Sequence, residues 1–361
     1  MKSICFILNS ISNCGGTERV CIQLAGALAR YYDIHILSHS GRKPFFACSE
    51  DVPVHQLLSS WETKLCARHP KVSILKMKIF FAIHHFDVVV DTILFNANLT
   101  IPALKGSATK HLIWDNFSFA RYLQLPSEQI AMQRALANDS DLVVLSKGDK
   151  ESFLAHTGIS PQKIHQIYNP LPIETHESIS HFQKKVLAVG RFMPEKGFSL
   201  LLNAWKIVEE RIEDWSLEIW GYTGTDTDNV YDIYKKLRLK RASLHPASKD
   251  IYKQFIDSSI YVMSSRQEGF PLVLLEAMSY SLPIVTFACT PGPQELVKDG
   301  ENGRVVPPLN IEALANSLIE LMNNNHLRSK MGLQSYEMSK QFRLEVILPQ
   351  WLDLFDEIIP S

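Results

Sequence analysis

The feature that most limits the fold of this chain is the alternation of short apolar runs with amphipathic stretches. β-Branched runs predict strands, and apolar residues three or four apart, as over 17–30, predict the helices between them. Such alternation is typical of parallel sheets covered by helices on both faces. We therefore predict the α/β class. The predicted strands are 3–8, 33–37, 87–91, 110–114, 141–145, 186–190, 217–221, 260–263 and 283–287.

The alternation restarts after a polar segment, which indicates two domains. The 361 residues exceed the length of one ordinary domain. Residues 169–182 are rich in Pro, Ser and Thr and are predicted to form a linker. We predict one domain over 1–172, a second over 173–341, and a final helical segment over 342–361.

Net charge, cysteine spacing and the lengths of the apolar runs exclude several classes of protein. A net charge of −1 provides no positive field to attract nucleic acid, so we expect no nucleic-acid partner. The six cysteines show no paired spacing, which is typical of a reducing compartment. The amino terminus does not resemble a signal peptide, and no run of about 18 apolar residues occurs. We therefore expect a cytoplasmic protein.

Residues 61–81 mix apolar side chains with several lysines and arginines. One interpretation is a helix packed on the sheet with a solvated basic face. The other is peripheral contact with the anionic inner face of the cytoplasmic membrane, because basic amphipathic helices bind such surfaces.

The segment 264–285 contains the strongest chemical signal. Glu268 precedes a Gly-Phe-Pro turn, and Glu276 lies eight residues later among apolar residues. A carboxylate in such surroundings needs hydrogen-bond donors, and the hydroxyl groups of a ligand are suitable ones. The turn also brings the first N–H groups of a helix to the end of strand 260–263, where they can bind an anion.

Two further loops follow strands at the same edge of each sheet. Arg191 and Lys196 follow the first strand of the second domain, where ligands bind in open α/β sheets. Their charges would stabilise a diphosphate leaving group. Gly15 and Gly16 follow the first strand of the chain and allow close approach of a phosphate or sugar, and Thr17 is predicted to cap the next helix.

Four motifs together resemble one enzyme family. They are GGTERV (15–20), VGRFMPEKG (189–197), EGFPLVLLE (268–276) and PGPQELVKDGENGRVV (291–306). In this order, along essentially the whole chain, they closely resemble the retaining glycosyltransferases of family GT4. That family has the GT-B fold, in which two Rossmann-like domains face each other across a cleft. Residues 111–119 and 143–153 are similar to segments of bacterial enzymes that build O-antigen, capsule or lipopolysaccharide.

The resemblance implies a role for each residue of these motifs. Glu276 would bind the ribose hydroxyls of a nucleotide and Glu268 a hydroxyl of the transferred sugar. Arg191 and Lys196 would hold the diphosphate, and the base would lie near Gly221 and 245–248. The backbone amides that assist would be those of Gly16, Gly269, Phe270 and Leu272. The family transfers sugar without a metal ion or other cofactor, and we accordingly expect neither.

Several residues depart from the family pattern or invite another interpretation. The family often has a histidine where this chain has Asp115, which becomes the candidate contact for the acceptor hydroxyl, with a helix-capping role as the alternative. Asp226 and Asp228 form a DxD sequence but are predicted to lie where a helix near 229–239 begins, as capping residues. The histidines show no metal-ligand spacing, and no Ser-His-Asp group is expected.

The function predicted from these motifs is transfer of a hexose or N-acetylhexosamine from a UDP-sugar, with a GDP-sugar as the second choice. The acceptor is expected to be a lipid-linked saccharide in surface polysaccharide synthesis. Two alternatives stay open: a nucleotide-sugar epimerase of the same fold, and a non-catalytic nucleotide-sugar-binding subunit.

Overall fold

Buried β-branched runs form two parallel sheets in two separate units of the chain. The computed structural model describes residues 1–173 and 183–359. One unit consists of Met1–Pro172 together with the chain from Arg343 onward, and the other is Ile173–Phe342. Most of the predicted linker, residues 174–182, lies outside the described residues.

The first unit contains a seven-stranded sheet in the order β3-β2-β1-β4-β5-β6-β7, with every pair parallel. Its elements are β1 (Ser3–Ser10), α1 (Gly16–Leu28), β2 (Asp33–Ser40), β3 (Val54–Gln56), α2 (Ser60–Arg68), α3 (Pro70–His84), β4 (Val88–Asp91), α4 (Ala97–Leu104), β5 (Lys110–Asp115), α5 (Phe119–Gln124), α6 (Pro126–Ala137), β6 (Asp141–Val144), α7 (Lys147–Thr157), β7 (Ile164–Gln166) and the last helix α15 (Leu344–Ile358).

The second unit contains a six-stranded parallel sheet in the order β10-β9-β8-β11-β12-β13. Its elements are β8 (Lys185–Val189), α8 (Phe198–Arg211), β9 (Ser216–Tyr222), α9 (Val230–Leu237), β10 (Ala242–Pro246), α10 (Tyr252–Ile256), β11 (Ile260–Met263), α11 (Leu272–Ser279), β12 (Ile284–Phe287), α12 (Pro291–Leu296), β13 (Gly303–Val306), α13 (Ile311–Asn323) and α14 (Asn325–Ser339).

The prediction of the α/β class is confirmed, and all nine predicted strands are present with ends shifted by a few residues. The structure adds four short strands that the sequence did not reveal, namely β3, β7, β10 and β13. All four lie at the outer edges of the sheets, which are the ends of each strand order. Ser146 is the N-cap of α7, because its hydroxyl accepts a hydrogen bond from the N–H of Asp149.

The last helix packs on the first unit through aromatic side chains. The ring of Trp351 meets that of Trp114 edge-on at 5.0 Å, and Phe355 meets Tyr32 at 5.5 Å. The hydroxyl of Tyr32 also donates to Asp356 at 3.2 Å. Buried aromatic pairs of this kind add to the stabilisation from apolar area, so α15 forms part of the core of the first unit.

Candidate active site

The second unit brings Lys196 and Glu268 together where its strand order reverses. The chain runs from β8 outward to β9 and β10, and then returns to β11 on the other side of β8. The loops that follow β8 and β11 therefore separate at the carboxyl ends of neighbouring strands, which is where ligands bind in open α/β sheets. Lys196 on the first loop and Glu268 on the second form an ion pair of 2.6 Å between Nζ and Oε1.

The two loops are held together by backbone contacts on both sides of this pair. The hydroxyl of Ser264 donates to the carbonyl oxygen of Lys196 at 3.0 Å. The N–H of Arg266 donates to the carbonyl of Glu195 at 2.7 Å. Gly197 has a φ of +61°, and a Cβ there would lie 2.2 Å from the carbonyl oxygen of Ser264. The glycine of the EKG motif is thus required by this close approach.

Glu268 is oriented by residues that sequence reasoning did not identify. The hydroxyl of Ser265 donates to its Oε1 at 2.6 Å. Thr290, which follows β12, donates to its carbonyl oxygen at 2.7 Å. Arg266 ties the loop to its neighbour by donating through Nε to the carbonyl of Pro194 at 2.8 Å. In the sequence, the polar run Ser264–Gln267 marks Ser265 and Arg266 as candidate hydrogen-bond donors. Only the fold shows which groups their side chains reach.

Glu276 is buried in α11, as the apolar sequence around it predicts. Burial raises the pKa of the Tyr261 phenol well above its ordinary value, and the negative charges of Glu276 and Glu268 raise it further. Both carboxylates therefore act on the same buried phenol on β11.

Positive charge and backbone N–H groups surround the same strand ends. Arg191 lies on the loop after β8 with an exposed side chain. Leu272 is the first residue of α11, and it follows the buried residues Gly269 and Phe270. The first N–H groups of a helix have no acceptor within the helix and carry its positive dipole end. Together with Lys196 these groups can bind a doubly charged anion such as a diphosphate.

Gly221 lies in β9 with a φ of +130°, and a Cβ there would lie 2.1 Å from the carbonyl oxygen of Gly190. This close approach of β9 to the end of β8 accounts for the glycine without any ligand. Next to it, the ring of Trp220 stacks on that of His245 at 4.2 Å, and His245 pairs with Glu218. Contact of Gly221 with a base stays a prediction.

The glycine loop after β1 differs in one respect from expectation. α1 begins at Gly16, its N-cap is Gly15, and no side chain caps it, so the prediction that Thr17 caps this helix is wrong. Glu18 occupies the space next to Gly15, because a Cβ at Gly15 would lie 2.4 Å from its Oε2. Asn13 donates to the other carboxylate oxygen of Glu18 at 3.1 Å. Gly16 itself is exposed, so a ligand can reach its N–H.

Asp115 is only 4% exposed at the end of β5. Its Oδ1 accepts the N–H of Leu94, the first residue of a short 3₁₀-helix before α4. Burial raises the pKa of Asp115 to about 8, and the nearby carboxylates of Glu128 and Asp149 contribute to the increase. These contacts favour the capping interpretation of Asp115 over a direct contact with an acceptor hydroxyl.

The two aspartates of the DxD sequence bind backbone groups of their own unit. Asp226 accepts the N–H groups of Val230 and Tyr231, both at 2.9 Å, and so caps α9. Asp228 accepts the N–H and the hydroxyl of Ser199 at 3.0 and 3.1 Å. The prediction that these residues cap the helix near 229–239 is confirmed for Asp226. It is wrong for Asp228, which binds the start of α8 instead.

The first unit contains a Ser-His-Asp group, contrary to the expectation that none forms. Nε2 of His111 lies 2.9 Å from Asp91, and its Nδ1 lies 2.8 Å from the hydroxyl of Ser140. Thr100 donates to the other oxygen of Asp91 at 2.8 Å. All four side chains are buried in the first unit. The chain of hydrogen bonds therefore satisfies polar groups inside the core rather than offering a nucleophile to solvent.

A second cluster was missed because its members are far apart in the sequence. His35, His55 and His84 each offer one ligand nitrogen, and these atoms lie within 4.8 Å of one another. Spacing of the H-x3-H kind cannot reveal such a group, because its residues come from two strands and a helix.

The basic amphipathic segment forms α2 and α3. α3 buries Met77 and Phe81 but exposes Leu75, Ile79 and Ile83, whose exposed fractions are 59%, 53% and 67%. These three residues follow one another at intervals of four and so form a stripe along the helix. Among the described residues, no helix combines the length and the apolar character that crossing a bilayer requires.

Comparison with known protein families identifies both units. A model described as "Glycosyl transferases group 1" matches residues 174–338, and one described as "Glycosyltransferase Family 4" matches residues 14–175. An uncharacterized glycosyltransferase of Haemophilus influenzae is 31% identical over 97% of this chain and 99% of its own length. The amylovoran biosynthesis glycosyltransferase AmsD of Erwinia amylovora is 28% identical over 99% of this chain and 100% of its own length.

Solved structures show the same architecture. TarM of Staphylococcus aureus, in a crystal structure with UDP and alpha-GlcNAc-glycerol, superposes with a TM-score of 0.82. The superposition covers 99% of this chain and 100% of that chain. The two sequences are 15% identical, so this likeness concerns the fold alone.

Proposed function

Because the chain belongs to glycosyltransferase family 4 and has the two Rossmann-like domains of the GT-B fold, we propose that it transfers a hexose or N-acetylhexosamine from a UDP-sugar to a lipid-linked saccharide. The transfer retains the anomeric configuration and serves the synthesis of a bacterial surface polysaccharide. The observation that carries the proposal is the Lys196–Glu268 pair at the strand-order reversal. Glu276 is buried in α11, the helix that follows the Glu268 loop.

Each group at this site suits one part of a nucleotide sugar. Lys196, Arg191 and the first N–H groups of α11 provide positive charge for a diphosphate, whose leaving oxygen gains negative charge when the bond to the sugar breaks. Glu276 is a buried carboxylate that can accept two neighbouring ribose hydroxyls, and Glu268 can accept a hydroxyl of the sugar. TarM binds UDP in the structure that this fold resembles, which supports UDP as the nucleotide.

The proposed catalysis relies on positioning and on stabilisation of the leaving group. Lys196 is bound to Glu268 and both lie on loops that are fixed to each other, so the charges are oriented before a donor binds. Asp226 and Asp228 are used as helix caps, which leaves neutralisation of the diphosphate to the basic side chains and helix amides. This arrangement supports a metal-independent transfer.

Nucleotide binding tests the donor proposal directly. UDP is expected to raise the Tm of the purified chain, and GDP, ADP and NAD to leave it unchanged, because a ligand that binds only the folded state stabilises it. Glu276→Ala is expected to abolish the UDP response. Glu210→Ala removes an exposed carboxylate of α8 and should keep that response. An equal UDP response in Glu276→Ala, or a response to GDP alone, would contradict the proposed donor site.

Product analysis separates transfer from the other two functions that the motifs allow. With a UDP-sugar and a lipid-linked saccharide, a transferase forms a longer saccharide and releases UDP. An epimerised sugar formed from the donor alone would instead indicate the epimerase. Nucleotide binding without any turnover across a panel of donors and acceptors would indicate the non-catalytic subunit.

A lipid-linked acceptor requires access to a membrane surface, and α3 offers one. Its exposed stripe of Leu75, Ile79 and Ile83 lies on a helix that contains three lysines and no acidic residue. Exposed apolar side chains together with basic ones fit the boundary of an anionic bilayer, where the apolar groups leave water and the lysines meet lipid phosphates. We therefore include peripheral attachment to the inner face of the cytoplasmic membrane in the proposal.

Replacing the stripe with acidic residues is expected to release the protein from lipid. Leu75→Glu/Ile79→Glu should weaken binding to vesicles of phosphatidylcholine and phosphatidylglycerol by at least about tenfold, because it removes apolar area and adds charge repulsion. Both side chains are exposed, so Tm should change little. Cosedimentation measures the effect. Leu333→Glu, on the exposed face of α14, is the matched control. Unchanged sedimentation of the double variant would disprove attachment through α3.

A further inference from the structure

Three imidazoles from separate elements meet at one edge of the first sheet. His35 lies on β2, His55 lies on the edge strand β3, and His84 is the last residue of α3. Nδ1 of His35 and Nε2 of His55 are 2.9 Å apart, and the ligand nitrogen of His84 lies within 4.8 Å of both. All three side chains are half-buried, so an ion from solvent can reach them.

We propose that His35, His55 and His84 bind one divalent transition-metal ion, with Zn²⁺ as the expected occupant. Imidazole nitrogens bind Zn²⁺ at about 2.0–2.1 Å with tetrahedral angles, which places two such nitrogens about 3.3 Å apart. The separation between His35 and His55 is 2.9 Å, slightly below this value, and the other two are no longer than 4.8 Å. Small rotations of the rings are therefore enough to direct all three nitrogens at one ion, and water would complete the coordination.

The surroundings of the three histidines are also those of a metal site. Oδ1 of Asp33 lies 3.4 Å from Nε2 of His35, on the side of the ring opposite to the nitrogen that faces His55. A carboxylate in this position orients a metal-binding histidine and raises its basicity. The rings of Phe80 and Phe86 pack against His84 and His35 at 4.4 and 5.1 Å and form an apolar wall.

The proposed ion would have a structural role rather than a part in sugar transfer. In the register of the sheet, His35 of β2 lies opposite Cys5 of β1, and β1 ends five residues later at Ser10. The histidines are thus about 16 Å along the strands from the glycine loop. An ion at this position links β3, which pairs with a single strand of the sheet, to the end of the helix that exposes the apolar stripe. This inference does not depend on the identity of the donor or acceptor.

Zinc titration of the untagged full-length chain, stripped of metal with a chelator, tests the site. Isothermal titration calorimetry is expected to show one equivalent of tightly bound Zn²⁺ and an increase in Tm. His55→Ala and His84→Ala should each lower the affinity by more than about 100-fold, since loss of outer partners alone costs 10–100-fold. X-ray absorption should show nitrogen ligands at about 2.0 Å.

The neighbouring His85 provides the matched control. His85 is exposed and has a left-handed φ of 50°, which asparagine also tolerates, so His85→Asn should fold and keep full zinc affinity. Circular dichroism of each variant without metal checks its fold, and His84→Asn replaces His84→Ala if the latter misfolds. Absence of tight binding in the wild type, or binding that survives both His55→Ala and His84→Asn, would overturn the proposal in favour of a simple aromatic cluster.

Discussion

Replacing Lys196 with alanine is expected to lower kcat/KM for sugar transfer by a factor of about 100 to 1,000. Removal of one preoriented group that stabilises developing charge typically has this effect, which corresponds to roughly 3–4 kcal/mol. The side chain of Lys196 is 22% exposed and that of its partner Glu268 is 11% exposed. Both charges are thus partly withdrawn from water. Electrostatic interactions are stronger in such a partly buried position than at an open surface.

The matched control is Lys206→Ala. Lys206 lies in the same unit and pairs with Glu210 at 3.7 Å across an exposed turn of α8. Such surface pairs contribute about 0–1 kcal/mol to stability, and this lysine is outside the proposed site. We expect its replacement to leave both kcat/KM and Tm close to the wild-type values.

A double variant distinguishes binding of the diphosphate from simple support of Glu268. If Lys196 only neutralises Glu268, then Glu268→Gln should remove the need for it, and adding Lys196→Ala should cost nothing more. If Lys196 binds the diphosphate, the second substitution should lower kcat/KM further and weaken UDP binding. Steady-state kinetics and UDP titration of the four proteins measure this difference. Wild-type kcat/KM in Lys196→Ala would contradict any role in transfer.

The sequence predicts the centre of each sheet better than its edges. Central strands such as Val88–Asp91 and Ile260–Met263 are buried on both faces and appear as continuous apolar runs. The edge strands Val54–Gln56 and Ile164–Gln166 have three residues each and contain His and Gln. Such strands form only because a neighbour supplies hydrogen-bond partners, and this information is not local.

For the candidate site, the sequence predicts which residues lie at strand ends but not what their side chains contact. The order of motifs predicts that the loops of Lys196 and Glu268 meet, since parallel strands place their carboxyl ends at one edge. It cannot predict that Ser265 orients Glu268, because the rotamers depend on packing across two loops. Asp115 shows the same limit, because its strand position is correct but its side chain turns to a buried N–H.

Long-range clusters are the part that sequence reasoning cannot reach. His35, His55 and His84 come from three elements, and Asp91, His111 and Ser140 come from two strands and the residue before a third. Their proximity follows from the register of the sheet and the angle at which each helix packs. A single sequence contains neither quantity, so both clusters became visible only in the structure.

The donor loops depend on one further contact, and Gly292→Ala is expected to disrupt it severely. Gly292 lies in α12. A Cβ there would be 1.8 Å from the carbonyl oxygen of Gly269 and 2.9 Å from the carbonyl carbon of the same residue. Backbone atoms cannot move aside as the end of a side chain can. Overpacking typically costs about 1–3 kcal/mol and sometimes more, and this contact belongs to the severe end of that range.

We expect Gly292→Ala to lower the free energy of unfolding by about 3 kcal/mol, which reduces Tm by roughly 6–12 °C. Relief of the clash requires Gly269 to move, and with it the neighbouring Glu268, so kcat/KM should fall about 100-fold even at temperatures where the variant is folded. Thermal unfolding and steady-state kinetics measure the two effects.

The comparison variant for this clash is Gly300→Ala in the same unit. Gly300 has a left-handed φ of +79°, and the nearest atom to its added Cβ is the end of the Arg304 side chain at 3.5 Å. Its replacement therefore introduces backbone strain of about 1–2 kcal/mol but no steric overlap, and kcat/KM should be unchanged. If Gly292→Ala proves no more harmful than Gly300→Ala in either measurement, then the contact between α12 and the Glu268 loop does not hold that loop in its catalytic position.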